Sequence, residues 1–355
     1  MREKIVNLIH AKKGDASEKP FNETALLLFR YQFDRNAVYR RFCLSQGKDP
    51  DAVRSWEEIP PLPVMAFKLA EIACRPLREA LRVFQSSGTT GREKSRHALF
   101  DLGLSKEAIL TNFGRHLIPE GKRIRMAILT PSSEAAPDSS LSHMMEVVRH
   151  GFGTGESRYY IEAGRLHSER LATDLSRLRE PIVLLGTSFS FVHFIDFLQA
   201  QARPLSLPEG SRLMDTGGFK GKSREIPREK LSALYMEYLG LLPENCINEY
   251  GMAEMTSQFY DGIAGEKGPR AYLAPPQLRT RILHPETLKP VRKGEIGLLA
   301  HYDLANIDSV MAILTEDLGR ETEGGFLLFG RTSGSPPKGC SITLDDLLQT
   351  EARGQ

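Results

Sequence analysis

At 355 residues, with 41% hydrophobic content and 47 basic against 45 acidic side chains, the chain can build a large core while carrying a net charge of only +2. That balance gives no basis for binding nucleic acid or an anionic membrane through bulk charge, and the length suits one large lobed domain or two moderate ones. No run approaches the roughly 18 apolar residues of a membrane span, and the first ten residues are too charged for a signal peptide.

Apolar residues recur at helical spacing over 3–12 and again over 23–45, until the proline-rich stretch 59–64 ends the pattern. The β-prone segment 81–85 leads into Ser86-Ser87-Gly88-Thr89-Thr90-Gly91, then Arg92-Glu93-Lys94, and helical spacing resumes over 102–117. This loop is therefore expected to join a strand to a helix, a common place for phosphate binding. Its hydroxyls, its glycines and the charge of Lys94 suit anionic oxygens. A Walker P-loop needs glycine immediately before its lysine, and Glu93 stands there instead.

Beyond the loop, β-prone runs at 126–129, 182–185, 212–214 and 246–247 alternate with helical segments at 138–150, 165–179, 189–201 and 226–240. Such alternation predicts an α/β fold with a parallel sheet flanked by helices. After Glu254 the texture changes to short β-like runs at 278–283, 296–300, 310–314 and 326–329, expected to form a smaller β-rich lobe. The expected organisation is a helical segment 1–80 packed on the core, an α/β nucleotide-binding core 81–255, the lobe 256–332 and a tail 333–355. Cys43, Cys74, Cys246 and Cys340 lie far apart, without metal-ligand spacing or a disulfide framework. They read as reduced thiols of a cytoplasmic protein.

Ligands of open α/β sheets bind at the carboxyl ends of the strands. The segment 214–218, with Gly217 and Gly218, is flat enough to lie against a planar ring. In 249–254, Tyr250 can stack on a base beside Gly251, and Glu254 offers a divalent cation a hard oxygen. Asp317, expected in a turn after a strand, can accept hydrogen bonds from two ribose hydroxyls, and Arg331 of the Gly330-Arg331 pair can bind ribose or phosphate oxygens.

In this order the motifs resemble the adenylate-forming superfamily of acyl-CoA synthetases, adenylation domains and luciferases. The resemblance runs from about residue 82 to 340. It implies that the loop from Ser86 to Lys94 binds the phosphates of ATP, that Tyr250 to Glu254 contacts adenine and Mg²⁺, and that Asp317 and Arg331 contact the ribose. Full-length members carry a mobile C-terminal domain after the Gly-Arg motif. Only residues 332–355 follow it here, fewer than the roughly 50 of even a small domain, so that domain is expected to be absent or reduced to a short tail. The shortened layout, with the segments 139–145 and 185–189 between the motifs, looks like the acyl-protein synthetase family of LuxE type.

That family activates a carboxylic acid, typically fatty, as acyl-AMP and passes the acyl group to a cysteine near the C-terminus and onward to a reductase subunit. Cys340 matches the position, and Lys338 and Gly339 suit a locally positive tail that favours thiolate. His143 stands where the family carries a histidine, which implies a place near the acyl or phosphate groups. Thr187, Ser188, Phe189 and Phe191 are expected to line the acyl pocket. Other acceptors remain open at this stage: CoA, a carrier protein or an amine. So does a non-catalytic nucleotide-binding relative.

Overall fold

Apolar runs alternating with helices build a six-stranded sheet, in the spatial order Phe259–Tyr260, Cys246–Tyr250, Arg212–Thr216, Ile182–Thr187, Arg125–Leu129 and Arg158–Tyr159. The computed structural model from which this is taken describes residues 1–12, 18–86, 94–217 and 226–331. The last five strands run parallel and Phe259–Tyr260 closes one edge antiparallel.

Both faces of this sheet are buried, so its strands are nearly continuous apolar runs. Alternate residues feed two cores. Ala127, Leu129, Leu184, Leu213 and Cys246 face one, with Leu171, Phe194, Leu198, Leu231 and Tyr235 from the helices Ser168–Ser176, Ser188–Ala200 and Arg228–Leu239. Met126, Ile128, Val183, Leu185, Met214 and Ile247 face the other, with Phe113, Leu117, Met144, Met145 and Val148 from Leu102–Leu117 and Ser140–Phe152. Hydroxyl caps start two of these helices: Ser139 Oγ accepts from Ser142 N–H and Thr187 Oγ1 from Ser190 N–H.

The described residues divide into two units, those within 109–251 and 258–270, which hold this sheet, and those within 1–108, 252–257 and 271–331. The second sheet lies in the latter unit, in the order Leu62–Pro63, Ala312–Thr322, Ile296–Asp303 and Leu278–Leu283, with Gly325–Arg331 also paired to Ala312–Thr322. Leu62–Pro63 pairs in parallel at Ile313 and Leu314. The helix Glu18–Arg35 is tied to the same unit by Gln32, whose Nε2 donates to the carbonyls of Asn306 and Ile307 and whose Oε1 accepts from Met311 N–H.

Several expectations shift. The helix expected over 23–45 is two helices, Glu18–Arg35 and Ala37–Ser45, because Asn36 leaves the helical conformation and its Oδ1 caps Tyr39 N–H at 3.0 Å. The loop after Gln85 joins strand to strand: Arg82–Gln85 pairs antiparallel with Arg96–Leu99, and the helix Leu102–Leu117 comes only after that hairpin. Asp317 sits inside the strand Ala312–Thr322 rather than in a turn, since the ladder continues past it with a register irregularity at Leu318/Gly319. The units also cut the chain elsewhere than at 81 and 255. Residues 81–108 group with the N-terminal helices, and 252–257 group with the second sheet, where Asp303 and Asn306 hold them.

Among the described residues, no helix is long and apolar enough to cross a membrane. Cys43, Cys74 and Cys246 are buried and unbridged, and burial pushes each thiol up to about 12, which makes them poor nucleophiles at neutral pH. Cys340 lies outside the described residues.

Candidate active site

In the unit that contains the second sheet, polar groups converge on Glu254. Ser86 and Ser95 close the two ends of the hydroxyl- and glycine-rich loop. Ser86 N–H donates to the Ser95 carbonyl and Ser95 N–H donates to Ser86 Oγ, both at 3.2 Å. Ser95 Oγ then donates to Glu254 Oε1 at 2.5 Å, and both side chains are buried. From another direction Asn306 Nδ2 donates to the carbonyls of Glu254 and Val310, each at 2.9 Å. With both of its hydrogens used, Asn306 presents Oδ1 to His97 Nε2 at 2.7 Å, which assigns the proton to that nitrogen. Burial lowers the His97 pKa and keeps the ring neutral. Asp303 anchors the next turn, accepting from Thr256 N–H at 2.9 Å, Ser257 N–H at 2.7 Å and Ser257 Oγ at 2.8 Å.

The same unit brings two predicted residues together. Asp317 and Arg331 are cross-strand partners, and Arg331 Nε donates to Asp317 Oδ1 at 3.2 Å. The Asp317 side chain is 9% exposed whereas that of Arg331 is 61% exposed, so the guanidinium stays within reach of a ligand. Lys94 is exposed.

In the other unit, the carboxyl ends of the parallel strands carry a second set. Thr216 and Glu249 are register partners, and Thr216 Oγ1 donates to Glu249 Oε2. Burial raises the Glu249 pKa to about 7, against the opposing effect of that hydroxyl. A Cβ at Gly251 would meet Glu249 Oε1 at 2.5 Å, so a larger residue there would displace that carboxylate. Gly217 follows with φ of +73°, a conformation that favours glycine. Tyr250 ends its strand, mostly buried, its ring 5.7 Å from that of Phe259. His143 lies in the first turn of Ser140–Phe152.

Beneath these groups Asp215 is fully buried and has four donors: Arg228 at 2.6 Å, Asn248 Nδ2 at 2.8 Å, Tyr235 OH at 3.0 Å and Ser188 Oγ at 3.2 Å. Arg228 also reaches Asp261 at 3.3 Å. Ser188, expected to line the acyl pocket, thus serves this network. Thr187 serves as a helix cap, and Phe191 is fully buried in the core against Tyr235.

Of the residues singled out in the sequence, Ser86, Lys94, His143, Gly217, Tyr250, Gly251, Glu254, Asp317 and Arg331 are placed as above. Ser87, Gly88, Thr89, Thr90, Gly91, Gly218 and Cys340 lie outside the described residues. Sequence reasoning missed the contact of Ser95, the last residue of the loop run, with Glu254, and missed His97 and Asn306, and also Asp215 with Arg228. An acid in the apolar strand Leu213-Met214-Asp215 was a readable signal, since a buried carboxylate demands a partner. No group of three or more His, Cys, Asp or Glu side chains among the described residues is arranged to hold a metal ion.

The chain has the α/β fold of the adenylate-forming ligases. The fold is that of 2-hydroxyisobutyryl-CoA ligase. Against an open conformation of that enzyme in complex with 2-HIB-AMP and CoA, the TM-score is 0.67 at 15% identity, covering 88% of this chain and 69% of the other. Against its postadenylation state the TM-score is 0.66, covering 88% and 67%. Residues 10–348 match the family model of LuxE, acyl-protein synthetase, and the chain belongs to that family. The long-chain-fatty-acid–luciferin-component ligase of Aliivibrio fischeri is 23% identical over 337 residues, covering 90% of this chain and 86% of that protein. Its counterpart in Vibrio harveyi is 23% identical over 340 residues, covering 92% and 87%. The chain is an ATP-dependent ligase that activates a carboxylic acid as acyl-AMP.

Proposed function

We propose that this protein activates a long-chain fatty acid with ATP and Mg²⁺ and transfers the acyl group from AMP to its own Cys340 thiol, and from there to a partner protein such as a reductase, in the cytoplasm. The acid class follows the names of the two relatives, which couple a long-chain fatty acid to a luciferin component. The observation that carries the reading is the bond from Ser95, at the end of the hydroxyl- and glycine-rich loop, to the carboxylate of Glu254.

A carboxylate resists nucleophilic attack, and conversion to a mixed anhydride removes that resistance. In the first half-reaction a carboxylate oxygen of the acid attacks the α-phosphorus of ATP and the bond to pyrophosphate breaks. Catalysis of this displacement is positioning and charge neutralisation. The loop from Ser86 to Gly91 holds the phosphates with Lys94, and Asp317 and Arg331 hold the ribose. Tyr250 stacks on the adenine, Gly217, Gly218 and Gly251 belong to the nucleotide-binding set, and His143 acts on the acyl or phosphate groups. Glu254 supplies one hard oxygen, the typical protein share where Mg²⁺ is otherwise bound by phosphates and water. When bound, the ion neutralises charge on the phosphates. In the second half-reaction the Cys340 thiolate attacks the acyl carbon and AMP leaves.

The test is a chain-length series of carboxylic acids assayed by pyrophosphate exchange, with intact-protein mass measured for the adduct. Long-chain acids should support exchange and add one acyl mass, and Cys340→Ser should keep exchange while losing the adduct. An adduct of unchanged yield in Cys340→Ser removes the thiol assignment. Exchange with every acid tested except long-chain ones removes the substrate class.

A further inference from the structure

Glu254 is a flexible side chain with three rotatable bonds, and its use as a single cation ligand requires that its carboxylate point one way. One contact imposes this on the carboxylate, and a second fixes the main chain from which it hangs. The main chain of Glu254 is fixed by Asn306 Nδ2 at 2.9 Å, and Asn306 is itself oriented by His97 at 2.7 Å. The carboxylate is fixed by Ser95 Oγ at 2.5 Å, a short charge-assisted hydrogen bond in a buried setting. Ser95 is in turn tied through its own N–H and carbonyl to Ser86. One residue therefore joins the end of the loop to the carboxylate.

We propose that Ser95 is a positioning residue for adenylation: its hydroxyl sets the orientation in which the Glu254 carboxylate meets Mg²⁺. Ser95 itself touches neither nucleotide nor ion. The inference rests on the reading of Glu254 as the Mg²⁺ ligand. Groups that orient a ligand of a metal ion typically change metal affinity by 10- to 100-fold when removed.

The test is equilibrium binding of ATP to the full chain, by calorimetry, with Mg²⁺ and with EDTA, for Ser95→Ala, Glu254→Gln and the double variant. Glu254→Gln should abolish most of the gain in ATP affinity that Mg²⁺ confers. Ser95→Ala should reduce that gain by about tenfold, leave affinity in EDTA unchanged, and add nothing in the Glu254→Gln background. Ser95→Cys fills the same space but donates weakly, so it should show the same loss should the alanine variant fold poorly. Equal weakening with and without Mg²⁺, or a full Mg²⁺ gain in Ser95→Cys, overturns the role of Ser95. A full Mg²⁺ gain in Glu254→Gln overturns the reading of Glu254 beneath it, a different result from loss of the Ser95 effect alone.

Discussion

Glu254 and Asp215 are both buried carboxylates at the heart of a polar cluster, one in each unit, and they are satisfied by opposite means. Around Glu254 the donors among the described residues are neutral: a serine hydroxyl on the carboxylate and an asparagine amide on the main chain, backed by a neutral histidine. Around Asp215 one of four donors is a guanidinium, which also serves Asp261. A carboxylate that no described cation matches suits the proposed role of Mg²⁺ ligand, whereas one already matched by arginine suits a structural role. Glu249 extends the contrast. Among the described residues it has one hydroxyl partner and no cation, and burial raises its pKa to about 7.

The contrast breaks most sharply at Asp215. Asp215→Ala leaves Arg228, Tyr235 and Asn248 short of an acceptor, and removing one member of a buried ion pair costs about 3–5 kcal/mol. Urea denaturation of the variant should show that loss. A change below about 1 kcal/mol would make the network as dispensable as a surface pair.

Next in size is the pH response of Glu249. Its native pKa lies above the ordinary 4.5, so between 4.5 and about 7 the native state holds a proton that the unfolded chain has released. Stability from this group is complete below pH 4.5 and is lost as pH rises to about 7, a total of about 3 kcal/mol at 1.36 kcal/mol per unit. Glu249→Gln keeps a neutral side chain at every pH and should remove this slope from denaturation curves taken between pH 5 and 7.5. A slope identical to that of the parent protein would assign the titration to other groups.

What the sequence disclosed follows from how locally each feature is encoded. The strands of the parallel sheet announce themselves because both of their faces are buried, so 182–185 and 212–214 read as apolar runs. The loop, the Tyr250–Glu254 motif and the Asp317 and Arg331 positions can be singled out as candidates from sequence because each is contiguous or a single residue. The strand Arg96–Leu99 was hidden by its brevity, four residues being too few to display a period. The groups that orient Glu254 were hidden by chain distance. Ser95 meets it across 159 positions, and His97 meets Asn306 across 209, so nothing in either local sequence marks the other as its partner.

The smallest expected effect is at Arg331, and it tests whether an exposed pair is there for folding or for a ligand. The Arg331–Asp317 contact is half in solvent, and such pairs contribute at most about 1 kcal/mol to folding. If the guanidinium is held at Asp317 in order to meet a ribose, Arg331→Ala should leave the denaturation midpoint nearly unchanged while weakening ATP binding roughly fivefold, the equivalent of about 1 kcal/mol for a lost hydrogen bond. AMP, which shares the ribose but lacks the β- and γ-phosphates, should weaken by the same factor. Weakening of ATP alone would reassign Arg331 from the ribose to the phosphate tail. Unchanged affinity for both nucleotides would reduce the pair to a cross-strand contact like any other in the sheet.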